Sequence, residues 1–442
     1  MQEIPFNEAV AAALDSLLND RLALLAGAGL SMAPPSSIPS AAAVAAAAKE
    51  KYDGTYGTTR APLPKTVEAQ ADFFFQRGEL ATVYFRTLID QNIFAGRPNE
   101  GHFSVADLLL VRGIQTAATT NVDTLIETAG QFLMGQVGVG IDGLAVAALP
   151  PDTAPLLKVH GCRVIDPKNM VWAPAQLTAD PIAGRIATSE QWLRVRLLDR
   201  DLLIIGYWTD WDYLNAVLAT ALGAVTPTRV IVVDPGDPAA FAAKAPALYA
   251  LGERATATFQ RVNASGSDFL AALRLAFSKS FVRRVLHLGV QDYQDQAGAS
   301  PDAGWTEPPN LDNDVLWQMR RDLEGCDPTQ PARERRPPDE PLVGLTVLQL
   351  RAAGSASDGS YWSLNGRRVR VLRALNKPLH RVELAFEREI APVVAPDIII
   401  AVGAEAQSLS PNVARAGTKA TIARGTAGRW MTRPEAVREL GL

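Results

Sequence analysis

Cysteine and histidine are scarce in this chain, which has two cysteines and four histidines among its 442 residues. The two cysteines, Cys162 and Cys326, are too few for a four-cysteine zinc site or a disulfide framework. The sequence also lacks an apolar run of the roughly 18 residues needed to span a bilayer, and its N-terminus lacks the basic start of a signal peptide. We therefore expect a cytoplasmic protein that has no zinc and no membrane attachment.

An excess of positive charge is missing as well. The formal net charge is −4 and the sequence pI is about 5.7, so direct binding to nucleic acid is not indicated. Apolar residues make up 48% of the chain and charged residues 20%, a balance that is typical of globular proteins. The length favours two domains over a single core.

Short apolar runs alternate with helical patterns along the first two thirds of the chain. The runs that we interpret as strands are Leu22–Ala26, Ile114–Thr119, Leu156–His160, Leu202–Gly206, Arg229–Asp234 and Ala255–Val262. This alternation predicts an α/β fold in which a Rossmann-like parallel sheet is covered on both faces. Ligands of such sheets bind beyond the carboxyl ends of the strands, where loops rich in Gly, Asn, Asp and His follow here.

Two other regions have a different character. Helical patterns at Ala41–Lys49, Thr66–Arg77 and Glu79–Gln91 predict a small helical module inserted at about residues 33–97. We predict a first domain over residues 1–288, a linker or extended arm over 289–341 with a short helix near Val315–Glu324, and a smaller β-rich α+β domain over 342–442. Its predicted strands are Val343–Leu350, Tyr361–Leu364, Arg368–Leu372, Ile398–Val402 and Ala420–Ala423, before a closing helix at Arg433–Leu440.

Three motifs follow predicted strands. Residues 27–31 (GAGLS) form a glycine-rich turn of the kind that lets a backbone approach a pyrophosphate. Residues 119–123 (TTNVD) precede a helix, where Asn and Asp also commonly cap the helix and Thr124 with Glu127 fits a capping box. His160 ends a third strand, and an imidazole titrates close enough to neutrality to accept a proton.

In this order, and with residues 98–102 (PNEGH) before the Asn-Asp turn and His160-Gly161 after it, the motifs resemble the NAD-binding core of the sirtuin superfamily. The resemblance covers roughly residues 15–285. Deacetylating sirtuins continue the glycine turn with a Phe-Arg pair that this chain lacks, and they use zinc-binding cysteines. The resemblance therefore implies a zinc-free branch in which NAD is the substrate.

The resemblance also implies roles for individual residues. Asn121 would orient ribose hydroxyls or an attacking water, Asp123 would bind the nicotinamide carboxamide, and His160 would accept a proton. His102 opens a helix, and we expect a capping or structural role for it. The residues predicted to bind the rest of the dinucleotide are Gly27, Ala28, Gly29, Ser31, Thr120, Gly206, Thr209 and Asp234. For Asp234 an ordinary turn role remains open.

Three functions are compatible with these motifs. The first is an NAD+ glycohydrolase similar to the NAD-depleting effectors of bacterial anti-phage defence, which act as oligomers or with a sensor protein. The second is a protein deacylase or ADP-ribosyltransferase that uses the same pocket with a different nucleophile. The third is a sensor that binds NAD or ADP-ribose without turnover. Fold-level analogy alone does not fix the reaction.

Overall fold

The computed structural model describes residues 1–207, 211–224, 229–254, 258–325, 327–389, 394–405 and 428–442. The chain divides into two compact units, Met1–Leu273 and Arg274–Leu442. The division falls inside a helix that runs from Gly266 to Leu288, and the predicted domain boundary at residue 288 stays a prediction. No helix in the described ranges is long and apolar enough to cross a membrane.

The first unit contains, within the described residues, an eight-stranded sheet in which every pairing is parallel. In chain order the strands are β1 (Gln2–Glu3), β2 (Leu22–Ala26), β3 (Thr116–Thr119), β4 (Gly138–Gly140), β5 (Pro155–Lys158), β6 (Asp201–Ile205), β7 (Arg229–Val233) and β8 (Thr258–Val262). Their spatial order is β1-β8-β7-β6-β2-β3-β5-β4. The predicted α/β class and parallel sheet are confirmed.

Burial on both faces explains why the strands read as unbroken apolar runs. All five residues of β2 are buried, as are all five of β6, and helices cover such sheets on each side. All six predicted strands are present, with ends shifted by at most three residues where the structure describes them. Strands β1 and β4 were not predicted from the sequence, because they are too short to produce a periodic pattern.

Helices connect the strands of the first unit. They are α1 (Phe6–Leu18), α2 (Ala41–Tyr56), α3 (Val67–Phe75), α4 (Glu100–Leu110), α5 (Leu125–Phe132), α6 (Gly143–Ala147), α7 (Ile182–Arg196), α8 (Asp212–Ala224), α9 (Pro238–Lys244), α10 (Pro246–Arg254) and α11 (Gly266–Leu288). The predicted helical module between β2 and β3 is present, and it continues from α3 into a π-helical segment at Leu80–Leu88. Its own aromatic core includes Tyr52, Phe74 and Tyr84.

The topology places the loops after β2 at the centre of the sheet. From β2 the chain crosses first to β3 on one side and later to β6 on the other. The strand order thus reverses about β2, which creates a crevice beyond its carboxyl end. The loops that follow β2, β3, β5 and β6 meet at this crevice, and they carry the three motifs identified in the sequence.

The second unit contains a smaller mixed sheet. Its strands are β9 (Ala356–Asp358), β10 (Tyr361–Leu364), β11 (Arg367–Arg373), β12 (Ile398–Val402) and β13 (Arg429–Thr432), in the order β13-β12-β11-β10-β9. The first three in that order are parallel to one another, and the last two pairings are antiparallel. Its helices are α12 (Val290–Ala297), α13 (Asn313–Glu324), α14 (Leu342–Ala352), α15 (Leu379–Phe386) and α16 (Arg433–Leu440).

This part of the chain differs from the sequence-based prediction in two segments. The predicted strand Val343–Leu350 is wrong, because these residues belong to helix α14. The predicted linker 289–341 contains α12 and α13, and Leu316, Met319 and Leu323 of α13 are buried in the core of the second unit. The predicted strand Ala420–Ala423 lies outside the described residues.

Candidate functional site

A cleft of about 200 Å³ lies at the carboxyl end of β2. It is lined by residues of the loops after β2, β3, β5 and β6 and by residues of the helical module. Of the residues predicted from the sequence, the cleft is lined by Ala28, Ser31, Thr120, Asn121, Asp123, His160 and Gly206. The structure therefore brings the three predicted catalytic residues to one cavity.

The hydroxyl of Ser31 is the centre of a buried hydrogen-bond network beside this cleft. It donates to Oδ2 of Asp123 at 2.9 Å and accepts from Nδ2 of Asn121 at 3.0 Å. Nε2 of His102 lies 3.1 Å from the same oxygen. One short side chain in the glycine turn thus fixes two of the predicted catalytic residues.

The backbone determines which ring nitrogen of His102 carries the proton. The amide of Asn99 donates to Nδ1 at 3.2 Å, so Nδ1 is an acceptor and the proton resides on Nε2, which donates to Ser31. Burial is the main cause that lowers the pKa of His102 to about 4, and the Asp123 carboxylate partly offsets it. The ring is therefore neutral at pH 7. It also completes a capping box with Asn99 at the start of α4, as expected for a structural histidine.

The same network orients the amide of Asn121. Because Ser31 gives its only proton to Asp123, the group of Asn121 that faces Ser31 must be the amide nitrogen. The opposite atom, Oδ1, is buried and has no hydrogen-bond partner among the described residues. A buried acceptor without a partner is costly in a folded protein. Asn121 therefore presents a preoriented acceptor at the cleft that a donor of a bound ligand would satisfy.

Asp123 has partners for both carboxylate oxygens. Oδ2 accepts from Ser31, and Oδ1 accepts from the amide of Leu125 at the start of α5 at 3.1 Å. Lys158, which is fully buried, donates to the backbone carbonyl of Asp123 and forms an ion pair of 2.7 Å with Glu127. Glu127 therefore pairs with Lys158 and does not form the predicted capping box, and Thr124 makes no side-chain cap.

His160 lies in an apolar part of the cleft. Its ring packs edge-to-face on Trp211, with 4.5 Å between the centroids. Burial lowers the pKa of His160 to about 3, and the nearby Arg185 cation makes a smaller contribution in the same direction. The imidazole is therefore neutral over the physiological pH range. In this state one of its ring nitrogens can accept a proton or a hydrogen bond.

The glycine turn is packed closely against the end of β6. A Cβ on Gly27 would lie 2.4 Å from the carbonyl oxygen of Gly206, and Gly206 has a φ of +61°. The amides of Gly27, Gly29 and Leu30 donate to protein carbonyls. These amides are therefore engaged within the protein, and the groups of the turn that line the cleft belong to Ala28 and Ser31.

The remaining predicted residues are placed differently. Asp234 follows β7, is buried, and is not among the residues that line the cleft. Its Oδ1 accepts a hydrogen bond from the amide of Gly236 at 2.8 Å, as in an ordinary turn. The same oxygen lies 3.8 Å from Nη2 of Arg261. Oδ2 of Asp234 has no hydrogen-bond partner among the described residues. Thr209 lies outside the described residues.

Several residues of the site were not identified from the sequence. Lys158 lies in an apolar run, and Trp172 and Trp211 lie in segments without a motif, so no local pattern marked them. Glu68, on the helical module, also lines the cleft. Within the described residues, no group of three or more His, Cys, Asp or Glu side chains is arranged to hold a metal ion.

Comparison with known proteins gives matches among solved structures only. No protein-family model and no curated protein matches the chain. A structure described as "Sir2-p53 peptide-NAD+" aligns at 16% identity over 62% of this chain and 98% of that chain, with a TM-score of 0.35. A "Sir2 homolog-NAD complex" aligns at 16% identity over 62% and 97%, with a TM-score of 0.36. "The Structural basis for Sirtuin Substrate affinity" aligns at 15% identity over 67% and 100%, with a TM-score of 0.34.

Proposed function

We propose that this protein is an NAD+ glycohydrolase. The bond between N1 of nicotinamide and C1′ of its ribose breaks, and the electron pair leaves with nicotinamide. The oxygen of a water molecule then bonds to C1′, and one proton of that water is released. The products are nicotinamide, ADP-ribose and a proton.

The observation that carries this proposal is the unpartnered amide oxygen of Asn121, which the Ser31 network holds in the cleft beside His160. A ribose hydroxyl or a water molecule is a donor that would satisfy this oxygen. Glycosidic cleavage proceeds through a cationic sugar, so polar groups that fix the sugar and the leaving group favour it. The arrangement supports a hydrolase that positions its substrate with neutral acceptors.

Each predicted catalytic residue receives a role in this proposal. Asn121 orients the ribose or the attacking water through Oδ1. Asp123 binds the nicotinamide carboxamide through the lone pairs that its two internal hydrogen bonds leave unused. His160 accepts a hydrogen bond from a ribose hydroxyl or from water. Its proton affinity rises when the two phosphates of the dinucleotide bind, because a negative charge favours the imidazolium form.

The rest of the dinucleotide would extend along the loops beyond β2 and β6. Ala28, Thr120 and Gly206 line the cleft there, and Ser31 contributes indirectly because its hydroxyl is fully engaged with Asp123, Asn121 and His102. We assign the adenosine end to Thr209 and to Asp234, whose buried Oδ2 is an acceptor for a ribose hydroxyl. Gly27 and Gly29 act indirectly by allowing the close packing of the turn.

In its biological setting we propose an effector that depletes NAD+ when a phage infects the cell. An enzyme that consumes an essential dinucleotide must be held inactive until it is triggered. The second unit, with its own core, is large enough to serve in oligomerisation or in binding a sensor protein. The scarcity of cysteine is consistent with a hydrolase.

The decisive experiment incubates the purified full chain, alone and together with the proteins encoded by its neighbouring genes, with NAD+ and separates nicotinamide and ADP-ribose by chromatography. We expect wild type to form both products in equal amounts, and Asn121→Ala and His160→Ala to form neither while remaining folded. Cells that express wild type or His160→Ala provide the matched measurement of NAD+ depletion. Release of nicotinamide only with an acyl-lysine peptide would identify a deacylase, and binding without release would identify a sensor.

A further inference from the structure

Glu68 is a carboxylate that the roles described so far leave unused. It lies in the first turn of α3, is partly buried, and lines the same cleft as Asn121 and His160. It has no hydrogen-bond or ion-pair partner among the described residues. By contrast, Asp123, the other acid of the cleft, has both oxygens engaged.

The cleft contains a second unmatched group. Trp172 follows β5, lines the cleft and packs edge-to-face on Phe94 of the helical module. It is buried, with 9% of its surface exposed, and its indole NH has no hydrogen-bond partner among the described residues. A buried donor without an acceptor is unfavourable in the absence of a ligand.

Glu68 shares the cleft with the predicted catalytic residues. The same cavity is lined by the Asn121 amide, the neutral His160 imidazole and Glu68, so a sugar bound there lies among these three side chains. Of the acids that line the cleft in the described part of the chain, Glu68 is the one that is not already engaged in internal hydrogen bonds.

We infer that Glu68 is a catalytic residue whose carboxylate stabilises the positive charge on the ribose as nicotinamide leaves. This inference rests on the proposed glycohydrolase function. The pyridinium of NAD+ is positive before cleavage, and the charge moves to C1′ and the ring oxygen as the N1–C1′ bond breaks. A carboxylate beside such a cation lowers the barrier because the two opposite charges attract each other most strongly in the transition state.

A structural role for Glu68 must be distinguished from this one. An acidic residue in the first turn stabilises a helix through the helix dipole. Neutralising it therefore has a small effect on folding whether or not it acts in catalysis. A test needs a readout that helix stability does not change, namely the response to the charge on the substrate.

The experiment uses the full chain with Glu68→Gln and, as a matched control, Glu50→Gln on the exposed face of α2. We expect Glu68→Gln to lower kcat for NAD+ cleavage by about 10- to 100-fold, with a smaller change in KM, and Glu50→Gln to leave both unchanged. Glu68→Asp should recover part of the rate. Thermal unfolding checks that each variant is folded.

A binding measurement tests the charge directly and does not depend on turnover. In a His160→Ala background, calorimetric titration gives the Kd of NAD+, whose nicotinamide is cationic, and of NADH, whose nicotinamide is neutral. Adding Glu68→Gln should weaken NAD+ several-fold and leave NADH within about twofold. Equal effects on the two dinucleotides, or a kcat equal to that of wild type, would overturn the inference. Absence of NAD+ cleavage by the wild-type protein would instead reject the proposed function.

Discussion

Ser31 illustrates how a single small residue can organise this site. Its hydroxyl makes one donated and two accepted hydrogen bonds, which involve Asp123, Asn121 and His102. The sequence marked Ser31 only as part of a glycine turn, because the partners lie about 70 to 90 residues away along the chain. Sequence motifs describe residues that are close along the chain, whereas this network joins the glycine turn, the Asn-Asp turn and the first turn of α4.

Removing that hydroxyl should affect both stability and catalysis. Ser31→Ala leaves three buried polar groups without their partner, so we expect the free energy of unfolding to fall by about 1–3 kcal/mol. NAD+ cleavage should fall by more than tenfold, because Asn121 is no longer held. Urea titration and the nicotinamide assay measure the two effects. The exposed Ser300, which only accepts from Gln294, provides Ser300→Ala as a control that should change neither.

The pH dependence of cleavage is a second prediction at the residue scale. Burial lowers the pKa of His160 to about 3, so the imidazole of the free enzyme is neutral down to acidic pH. We expect kcat/KM for NAD+ to show no acid limb from this residue between about pH 5 and 8, since kcat/KM reports groups of the free enzyme. A fall in kcat/KM centred near pH 6.5 that disappears in His160→Gln would contradict this prediction.

At the scale of elements, the sequence predicted the strands and helices that have a clear apolar run or periodic pattern, and it missed those that have neither. The buried parallel strands stand out as apolar runs, and α16 at Arg433–Leu440 has the predicted ends. Helix α14 was predicted as a strand because seven of the eight residues in Val343–Leu350 are buried, so the segment shows no amphipathic period. Its Gly344 packs against the backbone of Val285, where a Cβ would lie 2.1 Å from the carbonyl oxygen. Such close contact between helices leaves no local signal.

Two glycine substitutions test how the loops and helices differ. Gly206 has a φ of +61°, and an added Cβ would lie 2.7 Å from the amide of Leu30. We expect Gly206→Ala to destabilise the protein by at least about 1 kcal/mol and to reduce NAD+ cleavage. Gly184 lies on the exposed face of α7 with no atom near its Cβ position. Gly184→Ala should therefore raise stability by about 0.5–1 kcal/mol without affecting cleavage. Thermal unfolding measures the stability of both variants. If both substitutions raised stability, or both lowered it, this interpretation would be refuted.

At the scale of the whole molecule, the topology explains why the site could be predicted only in part. The alternation of strands and helices predicts that a ligand binds beyond the carboxyl ends of the strands, and the strand order then identifies the crevice at β2. The residues that the helical module contributes to the cleft do not follow from the sequence, because they depend on how the module packs. Glu68 lines the cleft through that packing, and Trp172 through the path of the chain after β5.

The two buried histidines connect the site to the stability of the molecule as a whole. The folded-state pKa of His102 is about 4 and that of His160 about 3, both below the value of about 6.5 for an exposed histidine. Below pH 6.5 the unfolded chain therefore binds protons that the folded protein does not, so stability is fully present above pH 6.5 and is lost as the pH falls. Each histidine should contribute a loss of about 1.4 kcal/mol per pH unit between pH 6 and 5. Urea titrations at these two values measure the slope, and His102→Gln should reduce it. His380 is exposed, so His380→Gln serves as the control. If His102→Gln left the change of unfolding free energy with pH as it is in wild type, the buried ring would not resist protonation.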